Sequence, residues 1–258
     1  MIEYPFAMIM QFLADFLLVS SRVSGMFLTM AGIGGKSIPS RVKTALAVTF
    51  SLMLIPVLPP SGFTELFSFQ MILVVAQQLL IGIVIGFISQ LFLNAFILAG
   101  QILAMQTGLG FASIVDPING LNVPAVGQFY LILGTLIFWA IDGHLTMFLM
   151  LVHSFELLPI STEWWSVVNY TKVIAWGTYV FLTAASLALA PVTAMLLIQF
   201  AFGVMTRAAP QLNIFSLGFP ITMTTGLMII WLTLGNFMYH FEIHWDRAVV
   251  LMCDIAKC

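Results

Sequence analysis

Apolar residues run along this chain in long unbroken stretches rather than in alternation. Residues 66–115, 173–206 and 208–241 hold no charged side chain, and each run exceeds the ~20 apolar residues that a helix needs to cross a bilayer. Only helices and closed barrels satisfy their backbone in lipid. Continuous runs therefore predict an all-α membrane protein with about six hydrophobic segments, at 5–31, 44–58, 70–104, 125–152, 173–206 and 213–239. A single domain over 1–258 is expected.

Two of these segments are longer than a bilayer requires. As one helix, residues 70–104 would extend ~52 Å at 1.5 Å per residue, against a hydrocarbon core of ~30 Å. Residues 173–206 have the same excess, and Pro191 inside them predicts a kink by removing an intrahelical bond. Segment two is short and runs into Pro56, Pro59 and Pro60. Such lengths predict long, kinked helices packed inside an assembly.

Composition and charge agree. Hydrophobic residues make up 61% of the chain and charged residues 7%, against roughly 25% charged in an ordinary soluble domain. Eight basic and ten acidic residues cannot cover a soluble surface, and with no basic block nothing points to nucleic acid. Lys36, Arg41 and Lys43 follow the first segment, and Arg207 follows the fifth. By the positive-inside rule these two loops face the cytoplasm, with both termini outside. The first segment lacks a basic leader and is expected to be a retained span.

Three sets of residues carry the functional reading. The stretch Gly108, Leu109, Gly110, Phe111, Ala112, Ser113, Ile114, Val115, Asp116, Pro117 and onward to Gly120 breaks any helix, yet stays apolar. Such a loop must be buried in protein or line a cavity, so it is either a re-entrant loop that constricts a passage or an ordinary buried connection. Between the last two long segments, Arg207, Pro210, Gln211 and Asn213 mark a hairpin turn with an interfacial arginine. Asp15 and Arg22 lie in the first segment, and Gln90, Asn94 and Gln101 share one face of the third. Intramembrane polar groups of this kind serve proton relays or subunit contacts, and contacts are the favoured reading. Asp15 and Arg22 stand ~10 Å apart along a helix, too far for a direct bond. Gly82-x-x-x-Gly86 permits close helix approach.

No enzyme, cofactor or metal site is expected. Gly34-Gly-Lys-Ser37 lacks the leading glycine and strand of a phosphate loop, since Met30 stands there. His240, Glu242 and His244 read His-Phe-Glu-Ile-His, not the zinc pattern His-Glu-x-x-His. Cys253 and Cys258 lack the neighbouring ligands of a metal site. A secondary transporter for a small solute, with Asp15, Arg22 and Asp142 as coupling residues, is the competing reading, because broken helices near the midplane are its signature.

Two motifs tip the balance. The runs GLGFASIVDPINGLNVPAVGQF and RAAPQLNIFSLGFPI, with RVSGMF and IPSRVK nearer the start, resemble the R-type export-gate subunits of bacterial flagella and injectisomes, the FliR/SctT family, over essentially the whole chain. The resemblance implies a structural and gating subunit of the flagellar type III export gate in the bacterial inner membrane, at the basal body. It implies several copies of P-type and Q-type gate subunits as neighbours, A-type and B-type export subunits nearby, and unfolded proteins in transit. It further implies a P-like half over 1–172, a Q-like hairpin and tail over 173–258, and Gly108–Pro117 as the plug of the closed pore.

Overall fold

The computed structural model describes residues 3–35, 38–63, 66, 68–111, 113–115, 122–160, 170–208 and 218–256. Nearly all of these are helical: α1 (Glu3–Thr29), α2 (Ser40–Leu54), α3 (Phe69–Thr107), α4 (Ala125–Ala140), α5 (Gly143–Leu157), α6 (Tyr170–Ala208), α7 (Phe219–Thr233) and α8 (Phe237–Ala256). Besides connecting turns, the described residues hold two single 3₁₀ turns and an antiparallel ribbon of β1 (Ser113–Val115) and β2 (Asn122–Pro124). Among the described residues, four stretches are long and apolar enough to cross a bilayer: Met8–Thr29, Phe69–Thr107, Thr171–Ala208 and Phe219–Asp254. The pair α4–α5 would be a fifth if taken as one broken span.

The six expected segments survive with changes that have local causes. Segment two becomes α2, shifted earlier because Pro39 stands at its N-cap and Arg41 and Lys43 enter the helix. Lys43 Nζ then reaches back to the carbonyls of Gly34 (2.7 Å) and Gly35 (2.9 Å) beyond α1. Segment four is two helices, not one, bent by 65°. Asp142 stands at that bend with φ 56°, a left-handed conformation that Asp tolerates better than most residues. At 16 and 15 residues, α4 and α5 rise only ~24 and ~22 Å. Residues 237–256 form α8, which follows α7 after the turn Leu234–Asn236. The helix α6 continues through Pro191 for 39 residues.

The chain divides into two compact units, 1–90 with 139–176 and 248–258, and 91–138 with 177–247. In the first unit, α1 presents an i, i+4 row of Ala14, Leu18, Arg22 and Met26, continued by Met30 just past its end, all wholly buried. Glycine sets how closely α1 and α3 approach. A Cβ on Gly82 would stand 2.0 Å from the Arg22 carbonyl oxygen, and one on Gly25 would stand 2.4 Å from that of Leu79. Backbone meets backbone here, and the close contact is cross-tied by Ala31 N–H donating to Ser89 Oγ (3.0 Å) and Thr29 Oγ1 to Ile83 O (3.0 Å).

The second unit is held by rings. Phe92, Phe96, Tyr130, Phe237, Phe241, Phe138 and Trp245 form a chain of aromatic contacts with centroids 4.9–5.3 Å apart. Five of these seven contacts are edge-to-face, and such pairs add about 0.5–1.5 kcal/mol each beyond burial. The buried positions Phe237, Phe241, Trp245, Ala248 and Met252 show why α8 is a helix: they return every three or four residues.

Candidate functional site

The apolar helix α3 stops where glycine appears. Gly108 has φ +79° and follows Thr107, the last helical residue, which is the usual way for glycine to end a helix. A single 3₁₀ turn, Leu109–Phe111, leads into β1. Register pairs Ser113 with Pro124, Ile114 with Val123 and Val115 with Asn122, so the chain turns back on itself before entering α4. Of the expected loop residues, Gly108, Leu109, Gly110, Phe111, Ser113, Ile114 and Val115 fall on these elements, whereas Ala112, Asp116 and Pro117 lie outside the described residues.

The root of this segment is gripped by α6 and α7. Gln106 Nε2 donates to Gln199 Oε1 of α6 (3.2 Å), and Gln199 Nε2 donates to the Gln106 carbonyl (3.1 Å). On α7, Gly226 lies so near Thr107 that a Cβ there would stand 2.4 Å from Thr107 Cγ2. Phe219, also on α7, lies over Gly108, whose hypothetical Cβ would be 3.2 Å from its ring. Around Gln199 the surface of α6 is apolar and open, with Leu196, Leu197 and Phe200 all exposed. An interhelical amide bond in such surroundings is worth about 0.6–2 kcal/mol. Sequence reasoning missed Gln199. The available signal was a lone amide inside the charge-free run 173–206, which needs a partner if lipid or protein covers it.

Arg207 stands in the last turn of α6 and is exposed, where a cation suits the helix's negative end. Pro210, Gln211 and Asn213 lie outside the described residues.

Asp15 and Arg22 do not bond each other. The Asp15 carboxylate accepts from the backbone N–H (3.0 Å) and hydroxyl of Ser61, beside a cavity of roughly 90 Å³ walled by Ile55, Pro59, Pro60 and Phe155. Arg22 is fully buried. Its Nε donates to Gln78 Oε1 (2.8 Å), Nη1 to Ser154 O (2.6 Å) and Oγ (3.1 Å), and Nη2 to Leu158 O (2.9 Å). The guanidinium lies 4.1 Å from the Phe155 ring centroid. Ser154 lies in the last turn of α5 and its carbonyl also accepts from the N–H of the C-cap Leu158 (3.1 Å), whereas the Leu158 carbonyl stands past the helix end, where such groups lack partners within the helix. The negative end of that helix, not a carboxylate, accompanies the charge. Gln78 Nε2, in contrast, is buried without a partner among the described residues.

Gln90, Asn94 and Gln101 are each half-buried on α3. The partners of His244 went unread: its Nδ1 meets the Tyr179 hydroxyl (2.7 Å), which also accepts from Arg247 Nη1 (2.9 Å). His240 stacks on His244 with centroids 6.3 Å apart. Among the described residues no three of His, Cys, Asp and Glu gather to hold a metal ion.

Comparison with known proteins bears on the whole chain. The family model described as bacterial export proteins, family 1, matches residues 13–248. The chain belongs to the FliR family of bacterial export proteins. It is 36% identical to the flagellar biosynthetic protein FliR of Pectobacterium carotovorum subsp. carotovorum over 234 residues, 91% of this chain and 89% of that protein. Identity to FliR of Escherichia coli (strain K12) is also 36%, over 81% of this chain and 80% of that protein. FliR of Caulobacter vibrioides is 30% identical over 85% and 88%. The FliR match spans both compact units, the Arg22 site and the α3–α4 segment alike.

Proposed function

We propose that this chain is a structural and gating subunit of the flagellar type III export gate, forming and plugging the pore through which unfolded flagellar proteins leave the cell. The observation that carries the reading is the glycine-rich segment itself. An apolar helix of 39 residues ends at a left-handed Gly108, and apolar backbone continues as a tight turn and ribbon instead of a further span. Backbone of that kind at membrane depth belongs in a protein-lined passage. Gly108 to Pro117 is the plug in this reading, and opening moves it aside. The flagellar assignment leans on relatives that are named flagellar biosynthetic proteins.

On this reading the chain sits as a multi-pass protein in the bacterial inner membrane at the flagellar basal body. Its neighbours are P-type and Q-type gate subunits in multiple copies, with A-type and B-type export subunits close by. Residues 1–172 are the P-like half and 173–258 the Q-like hairpin and tail. The open apolar faces of α6 and α7, including Phe181, Leu197, Phe200, Trp231 and Leu232, suit coverage by those neighbours and by lipid. Gln90, Asn94 and Gln101 face protein or the passage, not lipid. A solute transporter coupled through Asp15, Arg22 and Asp142 is disfavoured by the hydrogen bonds that already occupy Arg22 and by the Ser61 cap on Asp15.

Native mass spectrometry of the tagged chain, purified in mild detergent from cells that make the whole apparatus, tests the assignment. One copy of this chain with several copies of two small hydrophobic partners is expected. A lone monomer or a symmetric homodimer would overturn it.

A further inference from the structure

We infer that the cavity beside Asp15 is a docking site for a lysine side chain of a neighbouring subunit. The inference rests on the reading of this chain as one member of a multi-subunit gate. It names a place where a neighbour enters and the chemistry that admits it.

Asp15 is half-buried on α1, and only one of its carboxylate oxygens is used. Oδ1 accepts from both the N–H and the hydroxyl of Ser61, whereas Oδ2 has no partner among the described residues. No described cation answers the charge: Arg22 is given to Gln78, Ser154 and Leu158, Lys43 to Gly34 and Gly35, and Lys172 to Asp254. Met8 and Phe12, on the same face of α1, are exposed, so the rim that a neighbour would cover is apolar. The cavity itself measures roughly 90 Å³. That is room for the end of a side chain, since one water occupies only about 10–15 Å³ on the same measure. Its walls select the occupant. Pro59, Pro60 and Pro159 have no N–H to give. The N–H groups of Ile55 and Leu58 already donate to Ser51 and Leu54, and that of Ser61 goes to Asp15. What remains is one anionic oxygen among apolar walls, which suits a cation on a hydrocarbon stem and offers little to a phosphate. A phospholipid amine brings its phosphate a few bonds behind it and so fits poorly. Arginine binds best through two parallel bonds to both carboxylate oxygens, but Ser61 already takes Oδ1 twice. Lysine is a compact charge that needs only one acceptor, and its stem can lie along the apolar wall.

Zero-length carbodiimide coupling in the detergent-purified complex, with added glycinamide as a competing amine, tests the occupant by peptide mass spectrometry. The expected product joins Asp15 to a lysine of another polypeptide. Coupling to a phospholipid amine, or to glycinamide alone, would overturn the lysine. The lifetime of the complex in detergent is the second readout. Asp15→Asn keeps Oδ1 for Ser61 and removes only the charge. It should shorten that lifetime roughly tenfold, between the effects of an exposed and a buried pair. Asp15→Lys sets like charges together and should release the neighbour outright. An unchanged lifetime in Asp15→Asn would overturn the docking site and leave the gate reading intact. A shortened lifetime without the lysine product would mean that the carboxylate serves this chain alone, and would overturn it as well. Should Asp15→Asn not assemble, Asp15→Glu, which keeps the charge, must assemble; failure of both would make the position one of packing, overturning the site. A parent chain that purifies without partners would remove the gate reading itself.

Discussion

Polar side chains among the apolar helices are held in two contrasting ways. Arg22 is wholly buried and donates to Gln78, Ser154 and Leu158, so one side chain ties α1 to α3 and to the end of α5. Gln106 and Gln199 make two bonds, between only two helices, and Gln199 is exposed on its apolar face. Around Arg22, α1 and α3 meet backbone to backbone at Gly25, Gly82 and Gly86. The root of the glycine-rich segment meets its neighbours through side chains instead. A multiply bonded buried cation in a glycine-tight contact has no second arrangement to go to. A single amide pair at the edge of an apolar face has only two bonds to lose.

The contrast breaks most visibly at Arg22. The variant Arg22→Met keeps most of the volume but strands the carbonyl of Leu158 and the amide oxygen of Gln78, and leaves the Ser154 carbonyl with only the Leu158 N–H. By analogy with removing one partner of a buried charge pair, the expected loss is about 3–5 kcal/mol. Thermal aggregation of the detergent-purified protein should move to clearly lower temperature. Arg22→Lys should recover only part of the loss, because one ammonium cannot span three separate acceptors. Equal stability of Arg22→Met and the parent would mean that the site is not a clamp.

Next in size is Gly82→Ala. The added methyl would meet the Arg22 carbonyl at 2.0 Å, and backbone cannot swing away as a side chain end can. Overpacking of this kind costs about 1–3 kcal/mol, and the same melting measurement reads it. Gly108→Ala should follow, at about 1–2 kcal/mol for a non-glycine residue in the left-handed region. Its effect should fall on the segment, as raised ion efflux, more than on global melting. Melting as large as that of Gly82→Ala with unchanged efflux would show that the two regions are not separable.

Much of this contrast was legible in the sequence. The Gly82/Gly86 spacing announced a close helix contact, and Gly108-Leu-Gly110 announced the end of α3. The bend at Asp142-Gly143 was not read, although an Asp-Gly step is an ordinary turn signal. It lies in a run, 125–152, that is otherwise so apolar that hydropathy carries straight through it. The partners of Arg22 were beyond reach for a different reason. Ser154 and Leu158 stand 132 and 136 residues away, and no local period reports a contact of that range. The Gln106–Gln199 pair, 93 residues apart, hid in the same way. What sequence offered there was only the demand for a partner, not its identity.

The smallest effect expected lies at a third kind of polar contact. Lys172 Nζ and Asp254 Oδ2 are 2.8 Å apart, with side chains 44% and 51% exposed. Water screens such a pair and competes for both groups, so it is worth about 0–1 kcal/mol. Asp254→Asn should leave the melting temperature nearly unchanged in detergent, and added salt should abolish any difference that remains. A loss as large as that of Gly82→Ala would mean that the pair is shielded from water in the assembled protein. It would then behave like Arg22, with geometry as tight as this bond length suggests. Measuring the variant both alone and within the purified complex separates these cases, because only a covering neighbour can turn a solvated pair into a clamp.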